Sequence, residues 1–214
     1  MFHIYANEAE QVEHIKKLWQ EYGIAIVIGV LIALIAGFGW RYLQQRHEHT
    51  LEHASMRYEQ LLTNVVNGNS GAVENQADRL MTRYPRTPYA EFAALQLARQ
   101  DVYQNKLADA ETRLQWVMKN GDTKALREVA RIRAARVLVA QNKPKDALDL
   151  LNTSDDTAYD AAAWDVKGDA LLLTGQAADA RDAYQHALQA FPGFEVIQPM
   201  LQMKIDNLAG AVNS

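Results

Sequence analysis

The chain contains a run without Asp, Glu, Lys or Arg that extends from Tyr22 to Trp40. As a helix of about 19 residues, the run is roughly 28 Å long, close to the thickness of a bilayer's hydrocarbon core. A surface helix of a soluble protein would show a polar face every third or fourth residue, and this run shows none. The alternative is a helix buried in a soluble core. Tyr22, Trp40 and Tyr42 flank the run as interfacial aromatic residues do, so we predict a single membrane span.

The residues before the span favour an anchor over a cleaved signal peptide. Residues 1–21 carry four glutamates and only two lysines, Lys16 and Lys17. The apolar run is longer than the ~7–15 residues of a signal peptide, and it ends in Gly39-Trp40-Arg41, not in a small-x-small cleavage site. We therefore predict a short tail (1–21), an uncleaved transmembrane signal anchor (22–42) and a domain over 43–214.

Overall charge restricts the partners of this domain but leaves its side of the membrane open. A net charge of −4 argues against nucleic acid, which draws a basic surface. The chain has no cysteine, which excludes disulfides and thiolate chemistry. Lys16 and Lys17 precede the span, whereas Arg41, Arg46 and Arg57 follow it. The positive-inside rule therefore does not settle the orientation.

Three similar segments follow one another in the domain, at 104–110, 141–147 and 174–180. Each reads as a turn followed by an Asp-Ala helix start. Their spacing is close to the roughly 34 residues of a tetratricopeptide unit, which is a helix–turn–helix. With no strand-like alternation, we predict an all-α fold in which one transmembrane helix precedes a tetratricopeptide-like solenoid.

The last unit matches the tetratricopeptide pattern best. Small residues at three of its positions would let helices approach closely, two aromatic residues would fill the remaining gap, and a proline would stop the second helix. The matching residues are Trp164, Gly168, Gly175, Ala180, Tyr184, Ala187 and Pro192.

The other units are less regular. Ala98, Ala110, Ala135 and Ala147 hold the small positions of the two preceding units, without the Trp or the Pro. We predict units over about 48–85, 89–122, 126–151 and 160–192, with a polar loop at 152–157. A helix over 194–209 would close the solenoid, with Met200, Leu201, Ile205 and Leu208 on one face.

No catalytic, cofactor or metal site is predicted. His49, Glu52 and His53 form an H-x-x-E-H string, as in one class of zinc peptidase. Such an enzyme needs a third ligand, and the distant chain offers only His186. A polar helix rich in His and Glu next to the membrane explains the string more simply. The chain has neither a phosphate-binding glycine loop nor a G-x-S-x-G elbow.

The first helices of the units predict a partner groove on the concave side. Its apolar lining, with two arginines and then two aspartates, would suit an extended peptide or an unfolded segment. The alternative is a groove filled by the chain's own C-terminal helix. The predicted lining is Phe92, Leu95, Arg99, Val102, Val129, Ile132, Arg136, Val139, Ala162, Asp165, Asp169 and Leu172.

Glycines in the span suggest a second contact. Gly29 and Gly37 could let a helix of a membrane partner pack closely, although their spacing is not that of a strict G-x-x-x-G motif. Glycine that is merely tolerated in a membrane helix is the alternative.

The residues around the span resemble one known family. Tyr5, the segments 11–13 and 15–17, Trp19, Gly23 and the exit sequence Gly39-Trp40-Arg41-Tyr42 are similar to the ancillary SecYEG translocon subunit family. A tetratricopeptide-like domain and a closing helix that contains 204–208 follow in the same order. The resemblance covers essentially the whole chain.

The resemblance implies a location and partners. These are the bacterial inner membrane with a cytoplasmic N-terminus and a periplasmic domain, association with the SecYEG translocon, and a periplasmic prolyl isomerase/chaperone (PpiD-like) as partner. We expect a non-enzymatic scaffold that also meets unfolded translocating chains. The alternative is a membrane-tethered regulatory adaptor that controls the stability of a signalling protein.

Overall fold

The computed structural model describes residues 5–152, 159–190 and 198–211, and these ranges contain no β-strand. The all-α prediction is confirmed. The predicted loop at 152–157, apart from Asn152, and Pro192 lie outside the described residues. The described helices are α1 (Tyr5–Val66), α2 (Ser70–Arg83), α3 (Pro88–Tyr103), α4 (Leu107–Asn120), α5 (Lys124–Ala140), α6 (Pro144–Leu151), α7 (Asp160–Leu173), α8 (Ala177–Gln189) and α9 (Gln198–Ala211).

The first of two compact units comprises residues 1–50. Its helix contains an 18-residue window with a mean hydropathy of 2.5, of which only 6% is buried by protein. Ile24 is 80% exposed and Phe38 is 71% exposed. Exposing this much apolar surface to water would be costly, since each Å² costs about 25 cal/mol. The stretch is therefore long, apolar and uncovered, as a membrane-spanning helix is.

Helix α1 does not end where the predicted anchor ends. It runs beyond residue 42 as far as Val66, so its last part belongs to the second unit, which begins at Leu51. The physical reason lies in the residues that follow the span. Leu43, Gln44, Gln45 and Arg46 are strong helix formers, and no glycine or proline interrupts the chain before Gly68.

The second unit stacks helices in chain order. Each helix from α2 to α8 contacts the next one, and the first helices of successive pairs also meet, α3 with α5 and α5 with α7. The pairs are the end of α1 with α2, α3 with α4, α5 with α6, and α7 with α8. The buried residues form four clusters. Three of them link neighbouring pairs, and the fourth joins α7 and α8 to α9. This nearest-neighbour packing is that of a helical-repeat solenoid.

The turns inside the pairs share one geometry. Gly68, Asn105, Asn142 and Gly175 all have positive φ, of 68°, 58°, 61° and 80°. At each turn the next residue donates its N–H to a carbonyl five residues earlier, as Lys106 does to Asp101 at 2.8 Å. These are Schellman-type helix ends, and they include the first pair, whose interior lacks the repeat pattern.

Helix α9 packs its buried face on α8. Leu201, Ile205 and Leu208 join the last core cluster. Met200, predicted on the same face, is 44% exposed, so that part of the prediction is wrong. A residue adjacent to Leu201 is rotated by about 100° on a helix, and the fourth member of the inner face is Lys204 instead.

Candidate functional site

An open cleft lies between α3 and α5 and has a volume of about 510 Å³. We call it the arginine cleft, because three arginines stand beside an otherwise almost apolar lining. Helix α3 contributes a stripe at helical spacing, and α5 contributes a matching stripe. The lining residues are Leu95, Ala98, Arg99, Val102, Tyr103, Leu107, Leu114, Arg133, Arg136, Val137 and Ala140.

On α3 the cleft contains most of the predicted groove residues. Leu95, Arg99 and Val102 line it. Phe92 does not, and packs instead near Tyr58 of α1, with ring centroids 5.9 Å apart. Tyr103, which the groove prediction lacked, extends the lining, and the guanidinium of Arg99 lies 5.4 Å from the centroid of its ring.

On α5 the predicted groove face is rotated away from the cleft. Ile132 is only 4% exposed and belongs to the core cluster shared with α7. Val139 packs against the same cluster, and Val129 is half-buried. Only Arg136 of this predicted set lines the cleft. The physical reason is that α5 buries one face against α7, so its cleft face begins at Arg133, one position further along.

The arginines of the cleft differ in their partners. Arg136 Nη2 lies 3.2 Å from Oδ2 of Asp165 on α7. Arg99 and Arg133 have no carboxylate within ion-pair distance among the residues that the structure describes. Partial burial lowers the pKa of Arg133 from its usual value, and the charges of Arg136 and Arg99 lower this pKa further. The cleft therefore concentrates positive charge.

The predicted aspartates of α7 do not line an open groove. Lys204 of α9 places its Nζ 2.7 Å from Oδ1 of Asp165 and 2.6 Å from Oδ1 of Asp169. Tyr184 donates its hydroxyl to the same oxygen of Asp169 at 2.7 Å. We call these four residues the Lys204 cluster. At the third unit, the chain's own C-terminal helix thus pairs through Lys204 with the predicted groove aspartates.

Electrostatics strengthen this closure. Burial lowers the pKa of Lys204, but hydrogen bonds to Asp165 and Asp169 outweigh burial, so the net pKa is raised. Burial, followed by the hydrogen bond to Asp169, raises the pKa of Tyr184 well above its usual value. Lys204 is therefore held in its charged form and Tyr184 in its neutral form. Of the two other α7 groove residues, Ala162 packs against the core and Leu172 is 44% exposed.

Four further repeat-defining residues lie in the pair formed by α7 and α8. Ala180 and Ala187 are fully buried, and Gly175 adopts the positive φ of the turn. Trp164 is half-buried, and its ring stacks on that of His186 with centroids 4.8 Å apart.

The chain is similar to known proteins along nearly its whole length. A family model described as a tetratricopeptide repeat-like domain matches residues 16–210. A protein of Escherichia coli (strain K12) named ancillary SecYEG translocon subunit is 32% identical over 206 residues, which cover 96% of this chain and 98% of the relative. The chain belongs to the family of ancillary SecYEG translocon subunits.

Two further relatives with the same name are less similar. The protein of Haemophilus influenzae is 25% identical over 94% of this chain and 98% of the relative. That of Neisseria gonorrhoeae is 24% identical over 94% of this chain and 97% of the relative. The resemblance to the ancillary SecYEG translocon subunits drawn from the sequence is confirmed.

The membrane anchor of this family member presents its glycines openly. A β-carbon built on Gly29 or Gly37 would meet no atom within 4 Å. Tyr22 and Trp40 are 51% and 74% exposed, and Arg41 is also exposed. The described helix therefore leaves both glycine positions accessible to another helix.

Histidine and carboxylate residues show no metal-binding geometry in the described ranges. No group of three or more His, Asp or Glu side chains there is arranged to hold a metal ion. His49 and His53 lie on α1, where both are exposed. The candidate site residues that the sequence-based prediction lacked are Tyr103, Arg133 and Lys204. Arg133 begins a stripe at helical spacing on α5, which continues with Arg136, Val137 and Ala140.

Proposed function

We propose that the chain is a non-enzymatic subunit that accompanies the SecYEG translocon of a bacterial inner membrane. The observation that carries the proposal is similarity along nearly the full length to relatives that bear this name. A single apolar helix followed by a repeat domain with an open cleft supports it. The tail would lie in the cytoplasm, α1 would cross the membrane, and the repeat domain would lie in the periplasm.

In this arrangement the anchor works as a tether. Holding a binding domain beside the channel raises its effective concentration toward chains that emerge there, up to roughly millimolar for short tethers. Weak binding by the cleft is then sufficient. The domain would hold a periplasmic prolyl isomerase/chaperone or an unfolded translocating segment, and the bilayer and the channel would be the contacts of α1.

Co-purification tests the association. The full chain is solubilised in mild detergent from host membranes and isolated through a C-terminal tag. We expect the channel subunits in the eluate, and a matched control in which an unrelated single span replaces residues 22–42 should recover less of them. Recovery of a signalling protein without channel subunits would contradict the proposal and favour the regulatory adaptor.

Protease accessibility tests the orientation. In intact spheroplasts the repeat domain should be digested by added protease while the tail is protected. Protection of the domain until the membrane is opened would place it in the cytoplasm and reverse the proposed topology.

A further inference from the structure

The shape of the arginine cleft suits the side chains of a bound peptide. Apolar side chains on α3 and α5 form its floor, among them Leu95, Val102, Val137 and Ala140. A volume of about 510 Å³ falls within the roughly 300–1,000 Å³ of ligand sites. The floor would cover apolar side chains of a ligand, and none of the described residues that line the cleft is acidic.

The positive charges of the arginine cleft determine which apolar segments it would bind. Arg99 and Arg133 are exposed, and no described carboxylate pairs with either. Arg136 is partly engaged, since Asp165 accepts from its Nη2 and also binds Lys204. Lys204 pairs with both Asp165 and Asp169 of α7. The other two guanidiniums of the cleft have no carboxylate partner among the described residues. Partial burial, followed by the charges of Arg136 and Arg99, lowers the pKa of Arg133. A carboxylate placed between these arginines would offset the repulsion.

Guanidinium groups beside an apolar floor recognise two features at once. Each can bind a carboxylate with two parallel hydrogen bonds, which adds geometric specificity to charge attraction. A concave site with an apolar floor favours a protein segment over a flat anionic lipid surface, which would meet only the rim. The net charge of −4 likewise disfavours nucleic acid.

We propose that the arginine cleft binds a peptide segment in which Asp or Glu side chains stand next to large apolar ones. This inference rests on the proposed function, because it names the class of segment that the periplasmic domain would hold. Arg99 and Arg133 would receive the carboxylates, and the floor between α3 and α5 would receive the apolar side chains.

Selection from random peptides tests the inference, because it does not require a named partner. The full chain in detergent is used to select from a displayed library of random 12-residue peptides. We expect selected sequences enriched in Asp or Glu adjacent to Leu, Ile, Val or Phe. Replacing every Asp and Glu of a selected peptide with Asn and Gln should weaken its Kd by about tenfold or more, the scale of charge-assisted hydrogen bonds. Enrichment of neutral or basic sequences, or of none, would overturn the proposal.

Paired variants localise the binding. Arg99→Gln combined with Arg133→Gln should lose about tenfold in affinity for the selected peptide, whereas the exposed control pair Arg79→Gln and Arg86→Gln should not. If the two double variants bind the selected peptide with equal affinity, the assignment to this cleft is overturned. It is also overturned if the chain's repeat domain binds anionic phosphatidylglycerol vesicles more strongly than it binds the peptides. The melting temperatures of both pairs verify folding, and the substituted peptide tests the charge requirement on the unaltered protein.

Channel recovery separates this inference from the proposed function. If the unaltered chain brings down no channel subunits, the proposed function fails whatever the peptides show. If the chain recovers channel subunits but selects no acidic–apolar peptides, only the assignment of the cleft fails.

Discussion

Gly168 on α7 leaves room for the ring of Tyr184 on α8. A β-carbon built on Gly168 would lie 2.6 Å from Cδ1 of Tyr184 and 2.8 Å from its Cζ. Tyr184 is fully buried, so its ring has no free direction in which to move. The close approach of these two helices therefore depends on the absence of a side chain at Gly168.

Gly168→Ala should accordingly destabilise the repeat domain. Overpacking costs about 2 kcal/mol, of which the better helix propensity of alanine returns part, up to about 1 kcal/mol. Urea unfolding of the full chain in detergent measures the difference. Gly71→Ala on α2 is the control, since its added carbon would meet nothing within 4 Å and should be neutral or slightly stabilising. Equal effects of the two substitutions would contradict the packing account.

Adding Tyr184→Leu should reduce the penalty of Gly168→Ala. The equivalent positions of the other pairs hold Ala98 with Leu114 and Ala135 with Leu151, each couple within one core cluster. The first pair has Leu61 with Ala77. In each couple one side chain is large and the other is small, so the combined volume of the two side chains is similar from pair to pair. We expect Gly168→Ala to cost less in the Tyr184→Leu background, a coupling that a double-mutant cycle measures.

The same comparison shows how far the sequence predicts the fold. The uncharged run predicts the membrane span. The recurring Asp-Ala starts predict the helix pairs, and the Asn or Gly before each start predicts the turn. The first pair escaped the repeat pattern because Leu61 and Val73 stand where later units carry Ala or Gly. Its turn at Gly68 nevertheless has the shared geometry, which only the backbone angles reveal.

The candidate site was less predictable, because it depends on how helices rotate against one another. The face of α5 that meets α7 and the face that meets α3 are both apolar, and the sequence does not say which is buried. Ile132, which was predicted to line the groove, is consequently buried against α7, whereas Arg133, which was not predicted, lines the cleft. Lys204 was not predicted because the aspartates that it contacts on α7 are distant in sequence. No feature of the residues around Lys204 indicates such a contact.

The Lys204 cluster should hold α9 in place. Lys204→Met keeps an apolar stem beside the Tyr184 ring. It leaves Asp169 without its cation, and it leaves Asp165, which is 8% exposed as a side chain, with Arg136 alone. We expect a loss of about 2 kcal/mol in the free energy of unfolding and faster amide hydrogen exchange throughout α9. Lys119→Gln on the exposed face of α4 is the control. Unchanged exchange in α9 would show that its apolar face alone retains it.

At the two turn asparagines, a glycine substitution should leave the protein more stable than an alanine substitution. Asn105 and Asn142 have positive φ, where a β-carbon costs about 1–2 kcal/mol, and asparagine tolerates this region better than alanine does. Asn105→Ala and Asn142→Ala should each destabilise by about 1 kcal/mol relative to the corresponding Gly variants. Thermal unfolding of the four variants measures this, with Asn75 on α2 as the control site. At Asn75 alanine should be the more stable residue.

Glu91 should make stability depend on pH. Its side chain is fully buried, Asp122 donates its backbone N–H to Oε1 at 2.7 Å, and Oε2 has no described partner. Burial raises the pKa of Glu91, and the backbone hydrogen bond from Asp122 offsets this only in part. Protonation of Glu91 therefore stabilises the folded protein fully below the pKa of about 4.3 that a glutamate has in the unfolded chain. This stabilisation is lost as the pH rises through the raised pKa of Glu91 in the folded protein.

Glu91→Gln removes this titration. Relative to the unaltered chain, the variant should gain stability between pH 4 and pH 8, as measured by urea unfolding at both values. The exposed substitution Glu59→Gln should leave the pH profile unchanged. A difference between Glu91→Gln and the unaltered chain that is the same at both pH values would show that Glu91 keeps one protonation state throughout.

Photo-cross-linking in native membranes tests most directly whether this chain accompanies the translocon. A photoreactive amino acid replaces Gly29 or Gly37 in the span, where the described helix leaves open space, and Glu59 serves as a control site in the repeat domain. After irradiation of intact cells, we predict adducts with a SecYEG channel subunit from at least one glycine position, and none from Glu59. Adducts exclusively with proteins unrelated to the channel, or no adduct from either glycine, would contradict the account.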